Sequence, residues 1–164
     1  MRSVKNNLVS LLIHVLLSIY FIYSFYKYDI SATYSTREAA LNHLDNIKST
    51  SYVFFAEATL FYIIVGRKFL KNQGTILKNL VSTSLTAIIG ILIWLIAQYI
   101  DFTVIGTSLL NSGWPQLYNL YNGYSLIFLH AYGIVNPNMF LLFAFLPTII
   151  MSLSTIKKEH SQAN

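Results

Sequence analysis

The sequence predicts an all-α integral membrane protein, a four-transmembrane-helix bundle with both termini cytoplasmic. Composition carries the first part of that expectation. Of 164 residues, 55% are hydrophobic and 10% charged, with mean hydropathy +0.54, against about 25% charged in an ordinary soluble domain. A chain so poor in charge cannot cover a water-facing globule of its own size. The second observation is four apolar stretches, at 8–26, 49–66, 80–100 and 139–156. Each approaches the roughly 20 residues that a hydrocarbon core of about 30 Å demands of a helix. The third is the placement of Lys and Arg, which gives the threading its direction.

The first stretch is free of formal charge and follows the basic start MRSVKNN. It runs past the length of a signal-peptide core into Tyr and Phe, with no A-x-A site behind it, so it reads as an uncleaved anchor. Tyr20, Tyr23, Tyr26 and Tyr28 crowd its far end, where amphipathic rings favour the headgroup level. Beyond it, Ser35 and Glu38 have the spacing of a capping box, and Ala40, Leu41, Leu44 and Ile47 recur at helical spacing. Either a short amphipathic outer helix or a fluid loop fits those residues.

The second stretch contains one acid, Glu57, and is followed by the basic segment RKFLKNQGTILK. Those charges fix topology and suit anionic headgroups. The third stretch is uncharged and carries Trp94 and Tyr99 late in its course. The segment 101–138 then holds no Lys or Arg. Within it, 117–135 is long enough to cross, but Asn119, Asn122, Gly123, His130 and Gly133 weaken a spanning helix. With four crossings, eight Lys and Arg lie inside and three outside; a fifth moves Lys157 and Lys158 out and changes this to six against five. The asymmetry favours an outer-face interfacial or re-entrant helix near 117–135. Asn136-Pro137-Asn138 turns the chain into the last stretch, which carries Pro147. No linker divides the chain, so 1–164 reads as a single multi-pass domain.

Polar residues inside the stretches point to a shared seam. Ser10, His14 and Ser18 fall at i, i+4 and i+8, as do Ser82, Thr86 and Gly90, and Ala144, Thr148 and Ser152. Small and hydroxyl residues let membrane helices approach and bond across the gap. Glu57 lies nine residues from Gly66 and His14 six from Leu8. At 1.5 Å per residue their axial offset is roughly 4–5 Å, so a His14–Glu57 pair is expected near the midplane. Such a seam is either packing glue with a protonated Glu57, a proton relay or substrate cavity in which Glu57 titrates, or an interface on which Glu57 meets another chain. In the outer segment, Trp114, Tyr118, Tyr121 and Tyr124 suggest an aromatic binding surface or a plain interfacial connector.

Several chemistries are excluded. With no cysteine there is no disulfide, thiol nucleophile or cysteine–metal site. No GxGxxG, Walker A, GxSxG or HExxH pattern occurs. His43, His130 and Asp101 make at most a weak outer-face site, so no catalytic residue, metal or cofactor is expected. The basic residues flank membrane segments and form no separate domain, which argues against nucleic acid. The expected partners are the lipid bilayer and a membrane protein or a second copy. The low charge with many Ile, Asn and Tyr suits a bacterial cell membrane. The expected role is a non-enzymatic accessory, sensor or immunity-type factor acting through a partner. The alternative is a small oligomeric proton-coupled transporter using Glu57, and the third choice a membrane enzyme acting on lipid.

Overall fold

The computed structural model describes residues 2–29, 37–101, 113–125, 132 and 137–156. Five helices account for most of them: α1 (Arg2–Asp29), α2 (Arg37–Phe69), α3 (Ile76–Asp101), α4 (Gly113–Tyr121) and α5 (Pro137–Ser154). Among the described residues there is no strand. Three helices contain segments long and apolar enough to cross a membrane, over Arg2–Phe25, Asp45–Phe69 and Ile76–Ile96, while α5 is a shorter apolar helix.

Neither α1 nor the span from Arg37 to Val65 contains Gly or Pro, and nothing therefore interrupts either ladder. For that reason the expected separate outer helix does not exist as a unit. It runs on into the second span as one helix of 33 residues. The connection to α3 turns on Gly74, whose φ of 92° suits a residue without a Cβ. Thr75 then caps α3, its hydroxyl accepting from Lys78 N at 3.2 Å.

The bundle buries most of its polar span residues together with an apolar core, and its outside is apolar. On α1 the buried residues are Asn6, Ser10, Ile13, His14, Ser18, Phe21 and Phe25, while Leu8, Leu12, Leu16, Ile19 and Tyr23 are exposed. On α3, Asn79, Ser82, Thr83, Thr86 and Ala87 are buried, and Leu77, Val81, Ile88, Leu92 and Leu95 exposed. Water would reverse this arrangement. Lipid accepts it, because acyl chains solvate Leu as well as another Leu does and polar groups gain by facing one another.

Helices α1 and α3 pack closely, as do α3 with α5 and α5 with α2, whereas α1 and α2 touch more sparsely. Directions alternate with chain order. Asn6 meets Ser82 and Ser10 meets Thr86, so α1 and α3 run parallel. His14 meets Tyr62 and Phe25 clusters with Ile47, so α1 and α2 are antiparallel. Thr83 and Thr148 exchange hydroxyl-to-carbonyl bonds of 3.4 and 3.1 Å, tying α3 to an antiparallel α5. Near that bond Gly90 lets the helices close, since a Cβ there would stand 3.0 Å from that of Ala144.

Two asparagines lock the first turns of α1 to the rest. Asn6 Nδ2 donates to Lys71 O at 2.8 Å and Ser82 Oγ at 3.2 Å, and its Oδ1 accepts from Lys71 N at 3.1 Å. Asn7 donates to Val81 O at 3.2 Å and accepts from Leu85 N at 2.9 Å. Val81 O and Leu85 N are the two ends of one i, i+4 helical step, so a carboxamide from α1 bridges a rung of α3.

Candidate functional site

The interior centres on His14, whose side chain is fully buried. Its Nδ1 shares a hydrogen bond of 2.8 Å with the Tyr62 hydroxyl. Its ring lies edge-on to Tyr121 at 4.4 Å and to Tyr124 at 6.2 Å between centroids. Both tyrosines come from the α4 region, which packs into the bundle and not onto its rim: Tyr118, Asn119, Asn122, Tyr124 and Ser125 are all buried.

Three tyrosines at i, i+3 and i+6 hold that segment. Tyr118 donates to Phe140 O, Tyr121 to Thr86 O at 2.7 Å, and Tyr124 to Phe143 O. The last bond has a clear cause. Pro147 lies four residues beyond Phe143 within α5 and has no N–H to give it. In lipid a carbonyl so released needs another donor, and the Tyr124 hydroxyl is that donor. The expected outer aromatic surface is therefore corrected for these rings. Tyr118 and Tyr124 are interior pins and Tyr121 is half-buried, because backbone carbonyls inside the bundle offer phenols what the headgroup layer would otherwise supply. The Trp114 side chain lies outside the described residues, as do those of His43 and Asp101, the whole of His130, and Lys157 and Lys158.

All the seam residues on α1, α3 and α5 are buried: Ser10, His14, Ser18, Ser82, Thr86, Thr148 and Ser152. Half of their hydroxyls are occupied locally, while Thr86 donates to Ser10 Oγ and Thr148 to Thr83 O on neighbouring helices. Ser10 donates to Asn7 O, Ser82 to Asn79 O and Ser152 to Ile149 O, at 2.9 to 3.0 Å, each three residues back on its own helix. Ser18 donates instead across the gap to Tyr121 O. Hydroxyls used in this way mediate helix approach and leave few groups for a solute. Among the described residues, four buried atoms have no hydrogen-bond partner: His14 Nε2, Asn119 Nδ2 and Oδ1, and Asn122 Oδ1.

Glu57 is not among this group. Its Oε1 accepts from the Tyr20 hydroxyl at 3.0 Å, and Tyr20 is 44% exposed. The expected His14–Glu57 pair is thus corrected. Tyr62 lies opposite His14, so Glu57 lies opposite residues 19–20, five to six positions further along α1, or about 8–9 Å. Tyr62 and Glu57 are also five positions apart on α2, about 140° around the axis. The buried stripe of α2 runs through Ile47, Ser51, Ala58 and Tyr62, and the carboxyl falls beside it. Its own stripe is Val53, Leu60, Phe61 and Ile64, all exposed.

Sequence reading passed over Asn6, Asn7 and Tyr62. The adjacent asparagines at the foot of an apolar run were the available sign for the first two. Tyr62 continues the four-residue step from Ala58 and could have been read as the inward partner of His14. Among the described residues, no three His, Cys, Asp or Glu side chains group so as to hold a metal. No known family, curated protein or solved structure matches the chain.

Proposed function

We propose that this protein is a non-enzymatic four-span component of a cell membrane, with both termini in the cytoplasm and α4 re-entrant from the outer face, and that it acts by docking a helix of another membrane protein on its α1–α2 face. The observation that carries the reading is the position of Glu57. An ionisable group at that depth costs at least a few kcal/mol when it meets lipid, and such groups ordinarily face a bundle interior or a wet cavity. Here the bundle has an interior, and Glu57 is only half-buried beside it, on a stripe with exposed Val53, Leu60, Phe61 and Ile64. A partner helix with a hydrogen-bonding side chain at that level relieves the cost. The sparse α1–α2 contact leaves that face broad enough to seat it. The threading rests on the charge asymmetry of the basic flanks.

Photo-crosslinking in native membranes tests this. A photoreactive residue at Val53 or Leu60 is expected to give a discrete protein adduct, lost in Glu57→Leu, while the same probe at Leu92 or Leu142 on the far helices gives lipid adducts alone. Equal labelling from both faces, or adducts unaffected by Glu57→Leu, overturns the reading.

One observation favours a second reading, a small transporter. The unpartnered Nε2 of His14, the carboxamide of Asn119 and Oδ1 of Asn122 are polar atoms buried without a protein partner, as a path for a proton or small polar solute requires. Its coupling group would be His14, with Glu57 outside the path. Reconstituted vesicles showing pH-dependent flux that is lost in His14→Gln and kept in Glu57→Gln would select it.

A further inference from the structure

The end of the bundle that holds the starts of α1 and α3 and the end of α2 carries Arg2, Lys5, Arg67, Lys68, Lys71 and Lys78. Asn6 binds the Lys71 backbone, which brings these three elements together. Among the described residues this end has no acidic side chain; Asp29, Glu38, Asp45 and Asp101 all lie towards the opposite end. Among the described residues it is therefore cationic.

A groove of about 300 Å³ opens there between the first turns of α1 and α3, lined by Ser3, Gln73, Leu77, Lys78 and Val81. Its parts differ in chemistry along one direction. Ser3, Gln73 and Lys78 supply hydroxyl, carboxamide and ammonium donors at the membrane edge. Leu77 and Val81 are 71% and 57% exposed and lead from there along the lipid-facing side of α3. The Asn7 bridge to Val81 O and Leu85 N fixes the two walls at a set distance. The donors thus gather at one end of the groove, and the apolar strip leads away from them.

We propose that this groove is a specific site for an anionic phospholipid, whose phosphate is held by Lys78 with Ser3 and Gln73 and whose acyl chain lies along Leu77 and Val81. A diffuse basic surface treats its charges as interchangeable; a groove does not. The inference is independent of the partner docking proposed above, since Ser3 and Lys78 lie at one end of the α1–α3 side and Glu57 on the α1–α2 face.

The test uses the full chain in mild detergent, with lipid retention read by native mass spectrometry against phosphatidylglycerol and phosphatidylcholine. One phosphatidylglycerol is expected to be retained in preference to phosphatidylcholine. Lys78→Gln is expected to weaken it about five-fold, the effect of one basic contact near a membrane surface. Lys68→Gln, at the same end but outside the groove, is expected to change it less than two-fold. Equal losses in the two variants mean diffuse attraction and overturn the site. Displacement of the lipid by millimolar inorganic phosphate means that an anion is bound without its chains, and overturns the lipid assignment. Size-exclusion profiles and melting of both variants, each at an exposed side chain, confirm that the fold is intact.

Discussion

Helices α1 and α2 share two hydrogen bonds of the same chemical kind and opposite setting. In the first, His14 of α1 meets the phenol of Tyr62 at 2.8 Å, with both side chains buried. In the second, the phenol of Tyr20 on α1 meets Glu57 at 3.0 Å on the outer face. Each joins a tyrosine to an ionisable residue, and the two lie five to six residues apart along α1. Residue type therefore does not decide which polar pair a membrane bundle hides. Helical phase does: six positions turn α1 by about 240°, enough to carry a side chain from the seam to the lipid. The buried pair belongs to the interior of this chain, and the outer pair is the one the docking proposal assigns to a partner.

The strongest way to break that contrast is His14→Ala. It opens a hole beneath Tyr121 and leaves the Tyr62 hydroxyl buried without its partner, and is expected to cost about 3 kcal/mol of unfolding free energy. Reversible denaturation from mixed micelles measures it, and a loss below about 1 kcal/mol would contradict the assigned burial. Asn6→Ala comes next at about 1–2 kcal/mol, since it removes two bonds to the Lys71 backbone and one to Ser82, although Lys71 O keeps a second donor in Gln73 Nε2. Its signature is early proteolysis of the α2–α3 connection in the same assay.

Tyr124→Phe is expected to cost about 1–2 kcal/mol in the wild-type background, because Phe143 O then has neither a phenol nor a helical N–H. Placed on Pro147→Ala, the same change is expected to cost well under about 1 kcal/mol, the restored amide having taken over the carbonyl. Additive losses in the double-mutant cycle would show that proline and phenol act separately. The smallest effect belongs to the outer pair. Tyr20→Phe and Glu57→Gln are each expected to change stability by less than about 0.5 kcal/mol, as exposed polar pairs do. A large loss there would place Glu57 in the fold and deprive the docking proposal of its premise.

What was legible in the sequence divides along the same line. The long helices were, because α1 and most of α2 contain neither Gly nor Pro and their apolar runs match a bilayer. So was the inward face of α1, α3 and α5, since Ser10, His14 and Ser18, Ser82 and Thr86, and Thr148 and Ser152 repeat every four residues, whereas that of α2 was not. The partner of each residue across a helix pair was not. Counting from the ends of apolar runs put Glu57 about three residues from the level of His14, whereas the register fixed by Tyr62 and Phe54 separates them further. An error of two or three residues changes both height and phase. The tyrosines of α4 misled for another reason: amphipathic rings suit headgroups and buried carbonyls alike. The available clue was Pro147, whose missing amide calls for a donor somewhere in the chain.

The pinning of α4 also sets an order of assembly. Its phenols bond to α3 and α5, and Ser18 of α1 reaches its backbone. Two of those three acceptors belong to residues synthesised after it. While the chain is being made, α1 and α3, which supply most of the packing of segment 113–125 and the Tyr121 acceptor Thr86 O, are already there, and the segment gains its Phe140 and Phe143 acceptors only when α5 follows. A chain truncated before Pro137 thus keeps the Tyr121 bond to Thr86 O but leaves Tyr118 and Tyr124 without their acceptors, an incompletely packed intermediate of the kind on which quality-control proteases and misassembly act. The last helix to emerge is the one that closes the structure.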